Sequence, residues 1–401
     1  MALLGWELKK IWRPGLLLAI AVLGVVFYSI RTGFFLEYFR GNGSQDAYQL
    51  SVGWLEQYGT TMEPEEREKL DGQLEQMKEK FAQQVADIQG ATQAGITDYA
   101  SYLAWEQAYS DKLEQGTDTQ EEDTLKWAIF YDTNSRAIQT MTEFMARYDR
   151  LAAGGSKADW GDDMEGDTPF QAAERQRIQD MQAEGFRGFL PSTVLDYTDE
   201  FFHYFAIWCV FSVVLLLSPT LVRDRLHRTR ATQWASRRGR KVWMVQMGAA
   251  LLSAMVLTLL NCAAYLGPFL STGALQFWDC HLVSVWSFHY PWFDWSYGQY
   301  LLALLGLTVL LALAAAGCTV VLSQFSGSYV AMLLKAIPLV VVLCWGVVPW
   351  LTSGAALFSN RLVGLVGVPG AEFACGALLV ALGVGLCVWT CAGQRRRDLV
   401  E

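Results

Sequence analysis

Six long apolar stretches, unevenly separated, restrict this chain more than any other feature of its 401 residues. They cover 14–34, 201–222, 242–267, 299–321, 330–351 and 371–391. Each holds the roughly 20 apolar residues that a helix needs to cross the hydrocarbon layer of a bilayer. In that layer every backbone N–H and C=O must be paired within its own segment, so such stretches read as helices. Between the first and the second lies a polar block, 35–200, with no comparable stretch. The pattern predicts an all-α polytopic membrane protein of six transmembrane helices plus an extracytoplasmic helical domain.

Charge gives the expected orientation. Residues 31–200 hold 15 Lys/Arg and 33 Asp/Glu, a balance of −18, whereas the rest holds 16 and 7, a balance of +9, which together give the chain's −9. Of the 16 basic residues outside the block, all but Arg361 fall before the first span, after the second and fourth, or after the sixth: Lys9, Lys10, Arg13, eight within 223–241, Lys335 and Arg395, Arg396 and Arg397. Basic loops stay in the cytoplasm. With six spans the pattern predicts both termini and the 223–241 loop inside, the acidic block outside, and a multi-pass protein of a plasma membrane. The pI near 5.1 reflects the acidic block, while the cytoplasmic face is basic and suited to anionic head groups, not to nucleic acid.

The N-terminus resembles a secretory signal, since Lys9, Lys10 and Arg13 precede an apolar run. Ser29-Ile30-Arg31 offers no small-x-small cleavage site, however, so the run reads as an uncleaved span. Before it, residues 1–13 predict an amphipathic helix on the inner face. Leu3, Leu4, Leu8 and Ile11 lie on one side, Glu7, Lys9 and Lys10 on the other, with Trp6 and Trp12 as interfacial anchors. Cys209, Cys262, Cys318, Cys344, Cys375, Cys387 and Cys391 fall in or at the end of apolar stretches, and Cys280 follows the third. The polar block has none, so helix packing and not disulfides must hold it.

Within the block, Leu70, Leu74, Met77, Phe81, Val85 and Ile88 recur every three or four residues, a buried helical seam with Pro64 where a first turn tolerates it. Thr97 or Asp98 caps a second helix through Tyr99, Leu103, Trp105, Tyr109 and Leu113, ending near Gly116. A third starts at Asp118, turns Leu125, Ile129, Ile138, Met141, Met145, Tyr148 and Leu151 inward, and stops at Gly154-Gly155. A fourth covers about 170–184. The apolar-aromatic runs 34–39 and 194–205 predict that the flanking helices continue into the membrane.

The segment 268–298 carries four Trp, four Phe and two Tyr with few charges, which suits one or two interfacial or re-entrant helices. The shorter segment 352–370 is similar. Asp279, Cys280, His281, His289 and Asp294 are possible metal ligands, but their spacing matches no known site. The acidic loop 159–167 fails EF-hand spacing: Gly166 at the sixth position would put Gly161 at the first, and no Glu closes the loop. There is no G-x-x-x-x-G-K-[ST], H-E-x-x-H, C-x-x-C or G-x-S-x-G. The chain therefore carries no ATPase, metalloprotease, dithiol or hydrolase signature, and no catalytic residue, metal or cofactor is expected in it. Ionisable residues within the apolar stretches are nearly absent, with Lys335 and Glu372 near ends and Asn261 the most polar mid-span residue. This counts against an ion-coupled carrier.

The loop 223–241, RDRLHRTRATQWASRRGRK, remains. Leu226, Arg230, Gln233 and Trp234 share one side of a helical wheel; a loop that merely sets topology is the simpler alternative. The short N-terminal helix ALLGWELKKIWRP, the six spans and this loop together resemble the permease subunits of ABC-2 type ABC transporters. That family places a coupling helix between spans two and three, and Asp224, Thr229 or Thr232, Ser236 and Gly239-Arg240 stand at comparable positions. The sequence departs from the family in its RDR context, in having Gln246 and Met247 where a lysine is common, and in the roughly 170-residue insertion after span one. The resemblance covers roughly 230 residues.

It implies a bacterial plasma-membrane permease subunit that pairs with a second copy or a paralogue. ATP would be hydrolysed by separate ATP-binding cassette subunits docked on Asp224, Thr229, Trp234, Ser236, Arg237, Arg238, Gly239 and Arg240 and on the N-terminal helix with Trp6, Glu7, Lys9, Lys10 and Trp12. The implied cargo is an exported hydrophobic or amphipathic compound, a peptide, lipid or drug-like molecule. The rival expectation is a membrane sensor or scaffold whose outer domain binds a ligand and whose basic loop recruits a cytoplasmic partner.

Overall fold

The computed structural model describes residues 2–40, 45–153, 169–185, 187–226, 242–286 and 290–396. Among them no β-strand occurs, only isolated bridges, and six helices are long and apolar enough to cross a membrane. These are Pro14–Glu37, Ser192–Asp224, Val242–Leu270, Tyr297–Gln324, Tyr329–Thr352 and Ala371–Thr390, named here the first to sixth spans. They pack into one bundle whose core contains Trp208, Phe201, Phe205, Tyr297, Tyr300 and Leu311. The second and fourth spans lie at its centre and are the most buried, while the first, fifth and sixth present Leu18, Leu334 and Trp389 outward. The expected continuations hold. The first span runs on through a π turn, Tyr28–Thr32, to Glu37, and the second begins at Ser192 instead of 201.

The described residues between 45 and 190 form a helical unit on one end of the bundle, called the insertion side; the opposite end carries residues 2–13 and the base of the 223–241 loop and is called the loop side. Its helices are α1 (Gln45–Tyr58), α2 (Pro64–Ala86), α3 (Tyr99–Gln115), α4 (Gln120–Asp132), α5 (Ser135–Ala152) and α6 (Pro169–Glu184). Local chemistry starts them. Glu63 and Glu66 form a reciprocal capping box around Pro64, Asp98 pairs in the same way with Ser101, and Thr119 with Glu122. Asp98, not Thr97, is thus the cap of α3. Leu70, Leu74, Phe81 and Val85 are buried as the spacing predicts, whereas Met77 and Ile88 are only partly covered.

The single helix expected from Asp118 to Leu151 is two. Thr133 turns extended, its hydroxyl donates to Ile129 O at 2.6 Å, and Asn134 donates its side-chain amide to Met77 O at 2.9 Å and its backbone N–H to Gln84 Oε1 at 3.0 Å. Three short polar side chains in a row, Thr133, Asn134 and Ser135, compete for the backbone and end the helix. The apolar face survives the break, since Leu125, Ile129, Ile138, Met141, Met145 and Tyr148 are all buried. α1 was not expected, although Ala47, Tyr48, Ser51 and Trp54 recur at helical spacing and are all buried.

The aromatic segment after the third span is not a pair of helices. Between the third and fourth spans its described residues hold one 3-10 turn, Ala274–Phe277, and are otherwise irregular. Its backbone is instead used across chain: Gly188 bridges to Thr61 and Ser284, and the Ser284 hydroxyl donates to Gly188 O at 3.0 Å and Leu190 O at 2.9 Å. A Cβ at Gly188 would lie 2.7 Å from Val283 O, so only glycine permits this approach. Val285 and Trp286 then complete the core of the insertion unit, Trp286 stacking on Trp54 with ring centroids 6.4 Å apart. The segment is a stalk that fastens the insertion unit to the bundle.

Candidate functional site

On the loop side the N-terminal helix, Ala2–Ile11, lies against the third span and the end of the second. Ile11 is buried, Leu4 and Leu8 pack on the bundle core, and Trp6 is 65% exposed with Lys9 Nζ 5.8 Å from its ring centre. Glu7 departs from the expectation that it shares a polar face with Lys9 and Lys10, since it is only 4% exposed. Burying a carboxylate requires a partner, and Lys10 Nζ provides it at 2.8 Å from Glu7 Oε1. The same ammonium lies 3.3 Å from Asp224 Oδ2, which also accepts from Gln246 Nε2 at 2.9 Å. Trp12, expected as an interfacial anchor, donates its indole N–H to Ser253 Oγ in the third span at 2.9 Å.

These contacts join three elements. Lys10 belongs to the N-terminal helix, Asp224 to the last turn of the second span, and Gln246 to the first turns of the third. Asp224 and Gln246 thus clamp the two ends that bound the basic loop. Among the predicted docking residues, the structure brings Glu7, Lys10 and Asp224 together, places Trp6 and Lys9 on the same helix and Trp12 just beyond its end. Thr229, Thr232, Trp234, Ser236, Arg237, Arg238, Gly239 and Arg240 lie outside the described residues.

Just above the clamp the second span is broken. Its regular helix ends at Leu217 and resumes at Thr220, because Pro219 has no N–H to continue the ladder. Ser323 of the fourth span repairs the break: its hydroxyl donates to Ser218 O at 3.1 Å and accepts from Leu221 N at 3.2 Å. Backbone groups freed at membrane depth persist only with such a partner. Further along, Asn261 bridges the second and third spans, accepting from Trp208 Nε1 at 3.2 Å and donating to Ser212 Oγ at 2.9 Å.

At the insertion side the early start of the second span carries Asp199 and His203 into the bundle. Asp199 Oδ1 accepts from Tyr300 Oη at 2.9 Å, and both its oxygens receive Gly354 N at 3.0 to 3.1 Å. His203 Nδ1 pairs with Thr352 Oγ1 at 3.0 Å, and buried Glu372 accepts Ala356 N at 2.8 Å. Ala356 has φ 61°, a left-handed conformation that this bond helps to hold. The group pins the turn after the fifth span onto the second and sixth. The sequence does not announce the group because the partners of Asp199 and His203, Tyr300, Thr352 and Gly354, lie 101 to 155 positions away. The D-Y-T-D-E-F-F-H run at 196–203, with acids and the histidine within two turns, was the available signal.

The possible metal ligands do not assemble. Among the described residues no three His, Cys, Asp or Glu converge; His281 Nδ1 pairs with Asp294 at 3.4 Å, Cys280 is buried with its thiol pushed up to about 12 by burial, and His289 lies outside the described residues. The acidic loop 159–167 does so as well. No family model, curated protein or solved structure matches the chain.

Proposed function

We propose that the chain is the membrane-spanning half of an ATP-driven transporter, resembling ABC-2 permeases, with its energy supplied by a separate ATP-binding subunit. The observation that carries this reading is the clamp of Lys10, Asp224 and Gln246 at the base of the basic loop. A loop that serves only to set topology needs charge, not a partly buried ion pair and a hydrogen bond that together join three segments. A loop that transmits force needs a rigid base, and Glu7, Lys10, Asp224, Gln246 and the Trp12–Ser253 bond supply one. In this reading Gln246 provides the donor to Asp224 close to where related permeases place a lysine.

Under this reading the loop side faces the cytoplasm, as the basic residues require, and the insertion unit faces outward. The partner ATPase grips the loop around Ser236, Arg237, Arg238 and Arg240 and the exposed face of the N-terminal helix around Trp6 and Lys9. Closure of that partner moves the clamp as one body, and the Ser218–Pro219 break lets the end of the second span swing relative to its centre. The cargo is an amphipathic or hydrophobic compound, in keeping with a bundle in which the described residues place no chain of ionisable groups through the middle.

Co-purification in mild detergent tests the reading. The wild-type chain should bring down a nucleotide-binding subunit, and the triple change Arg237→Glu, Arg238→Glu and Arg240→Glu should release it. Recovery of a kinase or another signalling protein with no ATPase would favour the sensor alternative, and an ATPase retained by the triple variant would refute docking at the loop.

A further inference from the structure

The first span carries a charge, Arg31, on its exposed surface toward the insertion side. Charges within spanning helices are costly and by default mark a function. Local structure explains how this one comes to be exposed. Ile20 and Gly24 set the buried seam of the span, with Gly24 packed against the Trp208 ring. In a regular helix Arg31, seven residues after Gly24, would return to that seam. The π turn Tyr28–Thr32 adds a residue to the turn, so Thr32 is buried there and Arg31 moves to the flank. Such π turns are frequent at functional sites.

On that flank Arg31 meets the second span. Its Cζ lies 5.7 Å from the centre of the Tyr204 ring. Phe35, one turn farther along the first span, stacks on the same ring at 5.6 Å and meets the Tyr197 ring at 6.2 Å. Glu200 is exposed and stands between Tyr197 and Tyr204 at the spacing of one helix face. Among the described residues neither Arg31 nor Glu200 has an ion pair or a hydrogen-bond partner. Two opposite charges thus share one patch without neutralising each other. Ile30 and Phe34 beside them are 67% and 53% exposed, an apolar border suited to acyl chains.

Depth orders the two charges. Tyr204 precedes Asp224, at the loop-side end of the second span, by 20 residues. That is about 30 Å of helix, the thickness of the hydrocarbon layer. Arg31 and Tyr204 therefore lie where acyl chains give way to head groups, and Glu200 lies about 6 Å farther out. Snorkelling alone would carry the guanidinium outward to water, whereas here it is held over the Tyr204 ring. We propose that this patch binds the head group of a zwitterionic phospholipid, its phosphate on Arg31 and the Tyr204 hydroxyl and its ammonium at Glu200. In such a lipid the phosphate adjoins the acyl chains and the ammonium lies beyond it, the same order as the two side chains. The guanidinium fork suits a phosphate, and the Glu200 carboxylate disfavours a head group that is anionic overall. The site does not rest on the transporter reading, since it needs only the membrane, and a failed co-purification of an ATPase would leave it standing.

The test is native mass spectrometry of the full chain, purified in mild detergent and titrated with dioleoylphosphatidylethanolamine or with dioleoylphosphatidylglycerol, which lacks the ammonium. A saturable first site that prefers the ethanolamine lipid is expected, and this comparison requires no variant protein. Arg31→Gln should weaken binding of both lipids by about tenfold, the usual worth of a charge-assisted bond, and Arg31→Lys should recover part of the loss. Glu200→Gln should abolish the preference between the two lipids. Equal binding of both lipids by the wild-type chain would overturn the proposal. So would an Arg31→Gln chain that binds the ethanolamine lipid as the wild type does, which would leave Arg31 as a residue that only marks the edge of the membrane.

Discussion

Lys10 and Asp224, 214 positions apart in the chain, meet at 3.3 Å on the loop side of the bundle, with Glu7 and Gln246 completing the contact. Asp224 is 13% exposed, so removing its carboxylate takes this acceptor from the Gln246 amide and leaves the Lys10 ammonium with Glu7 alone. Asp224→Ala should cost about 1–3 kcal/mol of stability in detergent, and Lys10→Met should cost less because Lys10 is partly solvated. A double-mutant cycle by denaturant unfolding should show a coupling of roughly 1 kcal/mol. Additive losses would mean that the pair does not hold the N-terminal helix to the second span.

Ser323 makes a similar case inside the membrane. Its single hydroxyl serves both Ser218 O and Leu221 N across the Pro219 break. Ser323→Ala should leave both backbone groups unpaired and cost about 1–2 kcal/mol, near the upper end of measured hydrogen bonds between membrane helices. It should also raise amide exchange at 220–224, while Ser323→Thr, which keeps the hydroxyl, restores protection. Unchanged exchange in Ser323→Ala would show that the break is stable without the fourth span.

The spans were legible because roughly 20 apolar residues admit few alternatives, and α2 and α3 because their seams and caps lie within a few residues of one another. Contacts made at a distance left no such trace. Nothing near Glu7 announces that it is buried, since the lysine that neutralises it is in turn fixed by Asp224. The run from Thr133 to Ser135 kept the right apolar period on both sides, so the period alone joined α4 and α5 into one helix. The stalk misled for the opposite reason. Its aromatic residues suit a membrane interface, but Val285 and Trp286 are instead consumed by the core of the insertion unit. The docking loop itself remains a matter of its residues.

Acid should weaken the insertion unit through its helix starts. The Asp98 carboxylate is held below its ordinary 3.8 by the Ser101 N–H and hydroxyl, and Glu122 below 4.5 by Lys112 and then by the Thr119 N–H. A depressed folded value means stabilisation that is complete above the unfolded value and lost as pH falls through the folded one. Glu174, raised by burial, acts in the opposite sense and offsets part of the loss. The Asp98 and Glu122 contributions should therefore lower the melting temperature of the helical signal as pH falls below about 4.5 and more steeply below 3.8, while the opposing effect of Glu174 sets in above 4.5. Asp98→Asn, which still caps a helix, should reduce that slope.

Orientation can be read with thiol chemistry. The insertion unit has no cysteine, and buried Cys280, its thiol pushed up to about 12, should stay silent at neutral pH. Gln89→Cys, at an exposed position beyond α2, should react with a membrane-impermeant maleimide in intact cells. Ser236→Cys should react only after permeabilisation. The reverse pattern would contradict the orientation drawn from the basic residues and the docking model with it.

Gly317 and Gly383 set how closely the fourth and sixth spans approach. A Cβ at Gly317 would stand 2.8 Å from the carbonyl carbon of Gly383 and 2.9 Å from its Cα, and these are backbone atoms that cannot rotate away. The Cys387 thiol, one turn on, donates to Gly317 O at 3.4 Å. In lipid no hydrophobic effect draws helices together, so association depends on such close packing between small residues. Gly317→Ala should separate the two helices and cost about 1–3 kcal/mol, the usual penalty for overpacking. Gly385 is the control, since a Cβ there meets nothing within 4 Å. Gly385→Ala should be neutral or slightly stabilising through its better helix propensity. Equilibrium unfolding in mixed micelles separates the outcomes: equal effects of the two alanines would show that the spans do not cross at Gly317, and a selective loss at Gly317 would fix that crossing as the point where the sixth span is held to the centre of the bundle.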